Sequence, residues 1–284
     1  MTIEQRICRR TVLTGATTGL VAALAGCASR SDSADQDDHS DSKINDEKSG
    51  PIQSVTVDET QLVIDLERDA TTRLNVIDPA GELFAYRDIE AGVTRTKIEL
   101  GFEYTPGAYE FIALSGDETM GSVTMTLEPN LEFVDLRLAR DHPEEMYEGA
   151  GRLAKDGGAI VILENTGSAP TAVTALRFRG DVPLPTDSSY DETGDSGIYD
   201  IDDDFIGNAD AIIIPSGETV RVFSSTLPFS SSRIPNQCET VGEGGQFTIE
   251  LTAPHSSENS TIDYDIDYLT SDVEGCQLEI EVAT

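Results

Sequence analysis

The chain has 284 residues and a formal charge of −34, with 19 lysines and arginines against 53 aspartates and glutamates. So few cations cannot neutralise a run of phosphates, which excludes nucleic acid as a partner. At low ionic strength the chain repels itself, whereas about 1 M salt shortens the Debye length to about 3 Å, so this composition belongs in a saline medium. Against such a background, a local group of carboxylates is not by itself a site.

Residues 11–26 carry no charge and are mildly apolar. The stretch is shorter than the roughly 20 apolar residues a membrane-spanning helix needs, and Thr, Gly and Ala dilute it, so it reads as the core of a cleavable signal. Arg9-Arg10 precede it and Leu24-Ala25-Gly26-Cys27 close it. This arrangement resembles the twin-arginine lipoprotein signal of haloarchaea. Only four lysines, with arginine as the main cation, match that proteome style. The resemblance implies export in the folded state, removal of residues 1–26, and a lipid on the Cys27 sulfur. Membrane lipid would then be one partner, and the outer face of the cell membrane the location. Two acyl chains would hold the protein stably, where one would not. An uncleaved anchor helix or a coincidental Gly-Cys is the alternative.

With Cys8 lost in the signal, Cys27, Cys238 and Cys276 remain, an odd number for an exported chain. A lipid on Cys27 removes the oddity and leaves Cys238 and Cys276 to form a disulfide; two free buried thiols are the alternative. Closing that loop would stabilise the fold by about 4 kcal/mol on the chain-entropy account. No pair has the C-x-x-C spacing of a zinc or redox motif. Residues 27–50 follow the signal, rich in Ser and Asp and without an aromatic residue. They bury too little apolar surface to offset ordering and are expected to be a disordered tether.

Between residues 51 and 129, apolar alternation predicts strands at 54–57, 62–66, 74–77, 83–86, 96–100, 109–114 and 123–127. Asp78-Pro79-Ala80-Gly81 is a turn, with Pro presetting φ and Gly accepting the left-handed position. This density of short strands predicts a β-sandwich. Tyr104-Thr105-Pro106-Gly107-Ala108-Tyr109-Glu110 resembles the Pro-Gly-x-Tyr start of a late strand in immunoglobulin-like surface modules. That likeness makes both tyrosines packing and corner residues.

Residues 130–284 predict strands at 131–138, 159–163, 172–178, 211–214, 219–223, 247–251, 262–268 and 278–282. The run 262–268 alternates without a break, placing one face inward and aspartates outward. At most one helical piece is expected, around 143–153, and Gly149 and Gly151 make it short or absent. Glu164-Asn165-Thr166-Gly167-Ser168-Ala169-Pro170 and Pro215-Ser216-Gly217-Glu218-Thr219-Val220 resemble the Asn-Thr-Gly and Pro-x-Gly-Glu turns of CARDB-like modules. These are immunoglobulin-like domains of prokaryotic surfaces. The likeness covers scattered parts of about 120 residues. It implies a sandwich fold and an adhesion or scaffold role, and the chain departs from it at an acidic insertion, 181–210, and at Cys238 and Cys276.

That insertion is the one stretch with a metal-like composition. Asp202-x-Asp204 before Gly207 resembles an EF-hand loop, but Ile206 and Ile213 fall where ligands are required, so no metal site is expected. A blue-copper set fails because His255 lies far from Cys238 and His39 lies in the tether. No Gly-x-Ser-x-Gly elbow presents a serine, and no phosphate loop or dinucleotide fingerprint occurs. A glycosidase would need two acids to converge in space. Asn259-Ser260-Thr261 is a glycosylation acceptor.

The expectation is therefore an all-β protein: a signal at 1–26, a tether at 27–50, an immunoglobulin-like sandwich at 51–129, and a larger CARDB-like sandwich at 130–284. No catalytic residues, metal or cofactor are expected. The expected function is that of a lipid-anchored, non-catalytic binding or scaffold protein on a halophile's surface, with a surface protein or glycan as partner. An accessory subunit of a membrane complex is one alternative. A solute-binding lipoprotein is disfavoured by the absence of βαβ patterning, and a surface hydrolase by the absence of a nucleophile set. The 181–210 insertion is the first choice for a contact surface, against a solvating segment that binds nothing.

Overall fold

The computed structural model describes residues 49–184, 186–201, 208–230, 244–255, 260–269 and 277–283. The tether up to residue 48, Arg9, Arg10, Cys27, Cys238, Cys276 and Asn259 lie outside the described residues. Those described belong to one compact unit, Asp41–Thr284, and are almost wholly antiparallel strand. No helix among them is long and apolar enough to cross a membrane.

In the first sandwich, β1 (Ile52–Asp58), β2 (Gln61–Leu66) and β5 (Arg95–Glu99) form one sheet in the order β1-β2-β5. The facing sheet has the order β4-β3-β6-β7, from β3 (Arg73–Ile77), β4 (Leu83–Asp88), β6 (Gly107–Ser115) and β7 (Glu118–Leu127). Alternation drives this closure: Leu62, Ile64 and Leu66 from one sheet meet Leu74, Val76, Tyr109 and Phe111 from the other in a shared core. At the β3–β4 turn, the Gly81 N–H donates to the Asp78 carbonyl at 3.0 Å and Gly81 takes φ +83°, the role its chemistry suggested. Tyr109, near the start of β6, turns its hydroxyl back to the Thr105 carbonyl at 2.9 Å, the tyrosine-corner geometry of immunoglobulin-like sandwiches.

The second sandwich repeats the plan. Its smaller sheet is β13-β9-β8, from β8 (Leu131–Leu138), β9 (Ala159–Asn165) and β13 (Thr219–Phe223). Its larger sheet is β11-β14-β15-β16, from β11 (Ala175–Gly180), β14 (Gly244–Thr252), β15 (Ser260–Leu269) and β16 (Gln277–Val282). Val161 and Leu163 pack against Leu176, Phe178, Phe247 and Ile266 between them. The expected strand at 172–178 is instead two strands. β10 (Thr171–Val173) pairs with β12 (Ile212–Ile214), the chain turns at Thr174, and β11 joins β14. The run 171–178 hides a change of sheet because Val173, Leu176 and Phe178 face the same core.

The helical expectation also needs correction. Residues 143–151 are turns and irregular chain, and the helix, α1 (Arg152–Gly157), starts after Gly151. A second helix, α2 (Asp187–Thr193), lies inside the acidic insertion. That insertion is not a solvating loop where it is described: Val182, Ile198 and Ala209 enter the second core and Tyr190 is buried.

The Asn-Thr-Gly turn joins the two sandwiches. Asn165 is fully buried; its Nδ2 donates to the carbonyls of Ala169, Ile214 and Pro215 at 2.8, 3.0 and 3.2 Å. Its Oδ1 accepts the N–H groups of Asn130 and Gly167, both at 3.1 Å. Gly167 is a glycine because a Cβ would stand 2.3 Å from the Asn130 nitrogen and the Glu128 oxygen. Ser168 bonds the end of the first sandwich at Thr126 and Glu128, and Ala169 packs into the first core. Tyr104 completes the junction, donating to the Pro170 carbonyl at 2.8 Å while its ring meets His255 at 4.6 Å. Burial holds the His255 imidazole below its ordinary value, so the ring packs there neutral.

Candidate binding surface

The two edges of the larger sheet in the second sandwich are treated differently. At the β11 edge, the insertion supplies partners for main-chain groups that would otherwise be bare. The Leu176 N–H donates to the Ser196 carbonyl at 2.7 Å, the Phe178 N–H to the Tyr190 hydroxyl at 3.3 Å, and Thr186 Oγ1 to the Phe178 carbonyl at 3.2 Å. Arg179 clamps the arrangement, reaching Glu250 at 2.9 Å, Asp187 at 2.9 Å and Asp191 at 3.0 Å. Hydrogen bonds to Asp191 and Glu250 raise the Arg179 pKa well above its ordinary value, and Arg179 holds Asp191 below the usual carboxylate range. The insertion favoured as a contact surface thus braces an edge, and Asp187 and Asp191 are engaged by an arginine.

The opposite edge, β16, has no such cover among the described residues. The Ala283 N–H donates to the Asp263 carbonyl at 2.9 Å, so alternation makes Glu281–Asp265 and Glu279–Asp267 hydrogen-bonded pairs as well. The N–H and C=O groups of Leu278, Ile280 and Val282 therefore point away from β15, out of the sheet. Leu278 and Ile280 turn their side chains to the core, whereas Val282 is 58% exposed.

A groove of about 390 Å³ runs between β16 and the edge of β8, lined by Leu136, Leu138, Leu278 and Ile280 together with Arg137, Asp141, His142, Glu279 and Glu281. β8 is interrupted where β16 runs in regular register. Its register shifts between Phe133 and Asp135, a bulge that turns Val134 out to 51% exposure.

On the outward face the alternation of β15 buries Tyr264, Ile266 and Tyr268 and exposes Asp263, Asp265 and Asp267. Asp265 stands directly opposite Glu281, and Asp267 opposite Glu279. Like charges in such pairs destabilise a sheet. Neutral donors relieve part of this: Thr248 Oγ1 to Asp263 at 2.6 Å and Gln246 Nε2 to Asp265 at 2.7 Å. A second concavity of about 550 Å³ lies over β14 and β15, lined by Gly244, Gly245 and Gln246 with Asp181, Asp265, Asp267 and Glu281 around it. Below it, burial and then Asp181 push Tyr268 up to about 12; its hydroxyl stays protonated and donates to the Asp181 carbonyl at 3.1 Å. In the first sandwich three aspartates have cations beside them: Asp65 with Arg95 at 2.6 Å, Asp88 with Arg73 at 2.7 Å, and Asp58 with Lys97 at 2.8 Å.

Near the groove, His142, Glu144 and Glu145 lie close enough to share a metal ion. Glu145 is already held by both oxygens to Arg137 Nη1, at 2.6 and 2.8 Å, and Arg221 approaches to 3.5 Å. Partial desolvation would raise the Glu145 pKa, but Arg137 and Arg221 outweigh it and leave the carboxyl below the usual range. Two guanidiniums beside the key oxygens make this an ion-pair knot that repels a metal cation. The Arg137–Glu145 and Arg179–Glu250 groupings were not foreseen from sequence, because one joins a strand to the irregular segment that follows it and the other joins two strands far apart in the chain. The alternation that makes β15 acidic was visible, and it is what marks this surface.

No family model matches the chain, and no curated protein is similar to it. Among solved structures, it is similar to a β-glucuronidase of glycoside hydrolase family 2, at 14% identity over 79% of this chain and 20% of that one, with a TM-score of 0.27. A two-domain fibronectin type III segment of chicken tenascin matches at 11% identity, over 83% of this chain and 98% of that one, TM-score 0.24. The human OSCAR ligand-binding domain matches at 10% identity, over 78% and 88%, TM-score 0.20. The chain thus spans about a fifth of the glucuronidase. The class assignment, an all-β protein of tandem antiparallel sandwiches, rests on its own sheets and cores.

Proposed function

We propose that this chain is a non-catalytic binding or scaffold protein of a halophile, held at the outer face of the membrane by a lipid on Cys27. Its first sandwich spaces the second from the membrane, and the second presents the acidic β15–β16 edge. The observation that carries this reading is the β16 edge, uncovered among the described residues, with a groove beside it. The Arg9-Arg10 and Gly26-Cys27 motifs support the anchor, and the charge of −34 supports the saline setting. In the same reading Cys238 and Cys276 form a disulfide and Asn259 carries a glycan.

Two experiments test it. In a high-salt host, wild type stays with the membrane and Cys27→Ser passes to the medium; a variant that stays membrane-bound refutes the anchor. A photo-cross-linking residue at position 282, activated on intact cells, captures a discrete surface partner. Turnover of a glycoside panel by the purified chain, lost on substitution of Asp265, would replace this reading with a hydrolytic one.

A further inference from the structure

We infer that the edge of β16, free among the described residues, takes up an extended basic segment as a fifth strand of the β11-β14-β15-β16 sheet. This rests on the binding role proposed above and specifies the partner's chemistry. Leu278, Ile280 and Val282 each direct an N–H and a C=O out of the edge, in the spacing of an antiparallel ladder. An incoming strand that pairs with them places alternate side chains on the two faces of the sheet. Those opposite Leu278, Ile280 and Val282 point toward the groove, where Leu136, Leu138, Leu278 and Ile280 offer apolar contacts between the polar groups of Arg137, Asp141 and His142. Those opposite Glu279 and Glu281 stand on the outward face beside these two carboxylates, which on their other side already oppose Asp267 and Asp265. Lysine or arginine there relieves that repulsion.

The charges also select against a second copy of this chain. Antiparallel pairing of two β16 edges about Ile280 matches Leu278 with Val282, but it sets Glu279 of one copy against Glu281 of the other. The ladder is self-complementary in its hydrogen bonds and self-repelling in its charges. Arg137 lines the groove as well, yet its charge is held by Asp135 and Glu145 and does not oppose a basic strand. Recognition by strand addition takes affinity from the main chain and specificity from alternate side chains, which this edge offers together.

The test uses a fluorescein-labelled peptide, Thr-Val-Lys-Val-Arg-Val-Thr, titrated into the purified chain in about 1 M salt, where only contact-range charge pairs persist. Saturable binding is expected, weakened by about tenfold or more when both basic residues become glutamate. N-methylation of the central valine, whose N–H faces the ladder, abolishes binding, whereas N-methylation of the lysine, whose N–H faces away, leaves it intact. Equal binding by both N-methyl peptides overturns strand addition in favour of charge attraction alone. In the protein, Glu279→Lys with Glu281→Lys reverses the preference toward the glutamate peptide. These exposed sites leave the core untouched, so circular dichroism of that variant matches wild type. No binding by the basic peptide, or a concentration-dependent dimer that Ile280→Pro disrupts, overturns the inference. A cross-linked partner without strand addition would leave the broader binding role standing.

Discussion

Replacing Asn165 by alanine removes a fully buried amide that serves five main-chain groups across the junction of the two sandwiches. The Asn130 and Gly167 N–H groups each lose the only side-chain acceptor they have, and a buried donor left bare costs about 1–3 kcal/mol. The three carbonyls lose less, because a carbonyl retains a second lone pair. The two donors alone give about 3 kcal/mol, which in a fold of this size lowers Tm by about 6–12 °C. Thermal unfolding in high salt, followed by circular dichroism, reads that shift. Asn165→Asp separates hydrogen bonding from volume: it keeps an acceptor but aims a carboxylate at three carbonyls. Its folded pKa must then lie above the unfolded value, so the variant gains stability as pH falls toward about 4 and loses it as pH rises. A Tm within about 2 °C of wild type for Asn165→Ala, or an Asn165→Asp variant indifferent to pH, would refute the account of the junction.

Tyr109→Phe deletes the corner bond to Thr105 and keeps the ring, so it should destabilise by about 1 kcal/mol in thermal unfolding. Arg179→Met frees α2 from β11; limited proteolysis of the variant should cut near residues 187–193, where wild type resists. Asp65 and Asp191 are held below the ordinary carboxylate range by Arg95 and Arg179. The stability they contribute is complete above about pH 4 and is lost as pH falls through their folded values, which an acid titration of the fold would show.

The strands were legible where one period decides one element. Residues 262–268 alternate because β15 has one wet and one dry face, and Asp78-Pro79-Ala80-Gly81 turns for reasons local to those residues. What escaped depends on distant chain. Thr174 looks like any β-branched residue within a strand, and only the separate partners Ile213 and Leu251 reveal a change of sheet there. Tyr190 lies among serines and acids that read as solvated. Its burial follows from the bare Phe178 N–H on an edge strand, and that edge exists only after the sheet has formed. Likewise Arg179 and Glu250 are far apart in sequence and meet because β11 pairs with β14.

The acidity of the chain takes on two meanings within one sheet. At β11, carboxylates from the insertion surround Arg179 and hold a helix over the edge, so charge there is compensated and structural. At β16, carboxylates face one another with no cation between them among the described residues, and no described residue covers the main chain beside them. An uncovered edge invites pairing with another copy, and proteins commonly guard such edges with charge. The guard at β16 has one sign, so it repels only partners of that sign. High salt weakens the repulsion between whole molecules over distance, but Glu279 and Glu281 brought opposite their counterparts would stand at contact range, where screening is least effective. The same ladder that keeps two copies apart therefore favours a strand bearing cations, and the edge is closed to self-association while open to a partner.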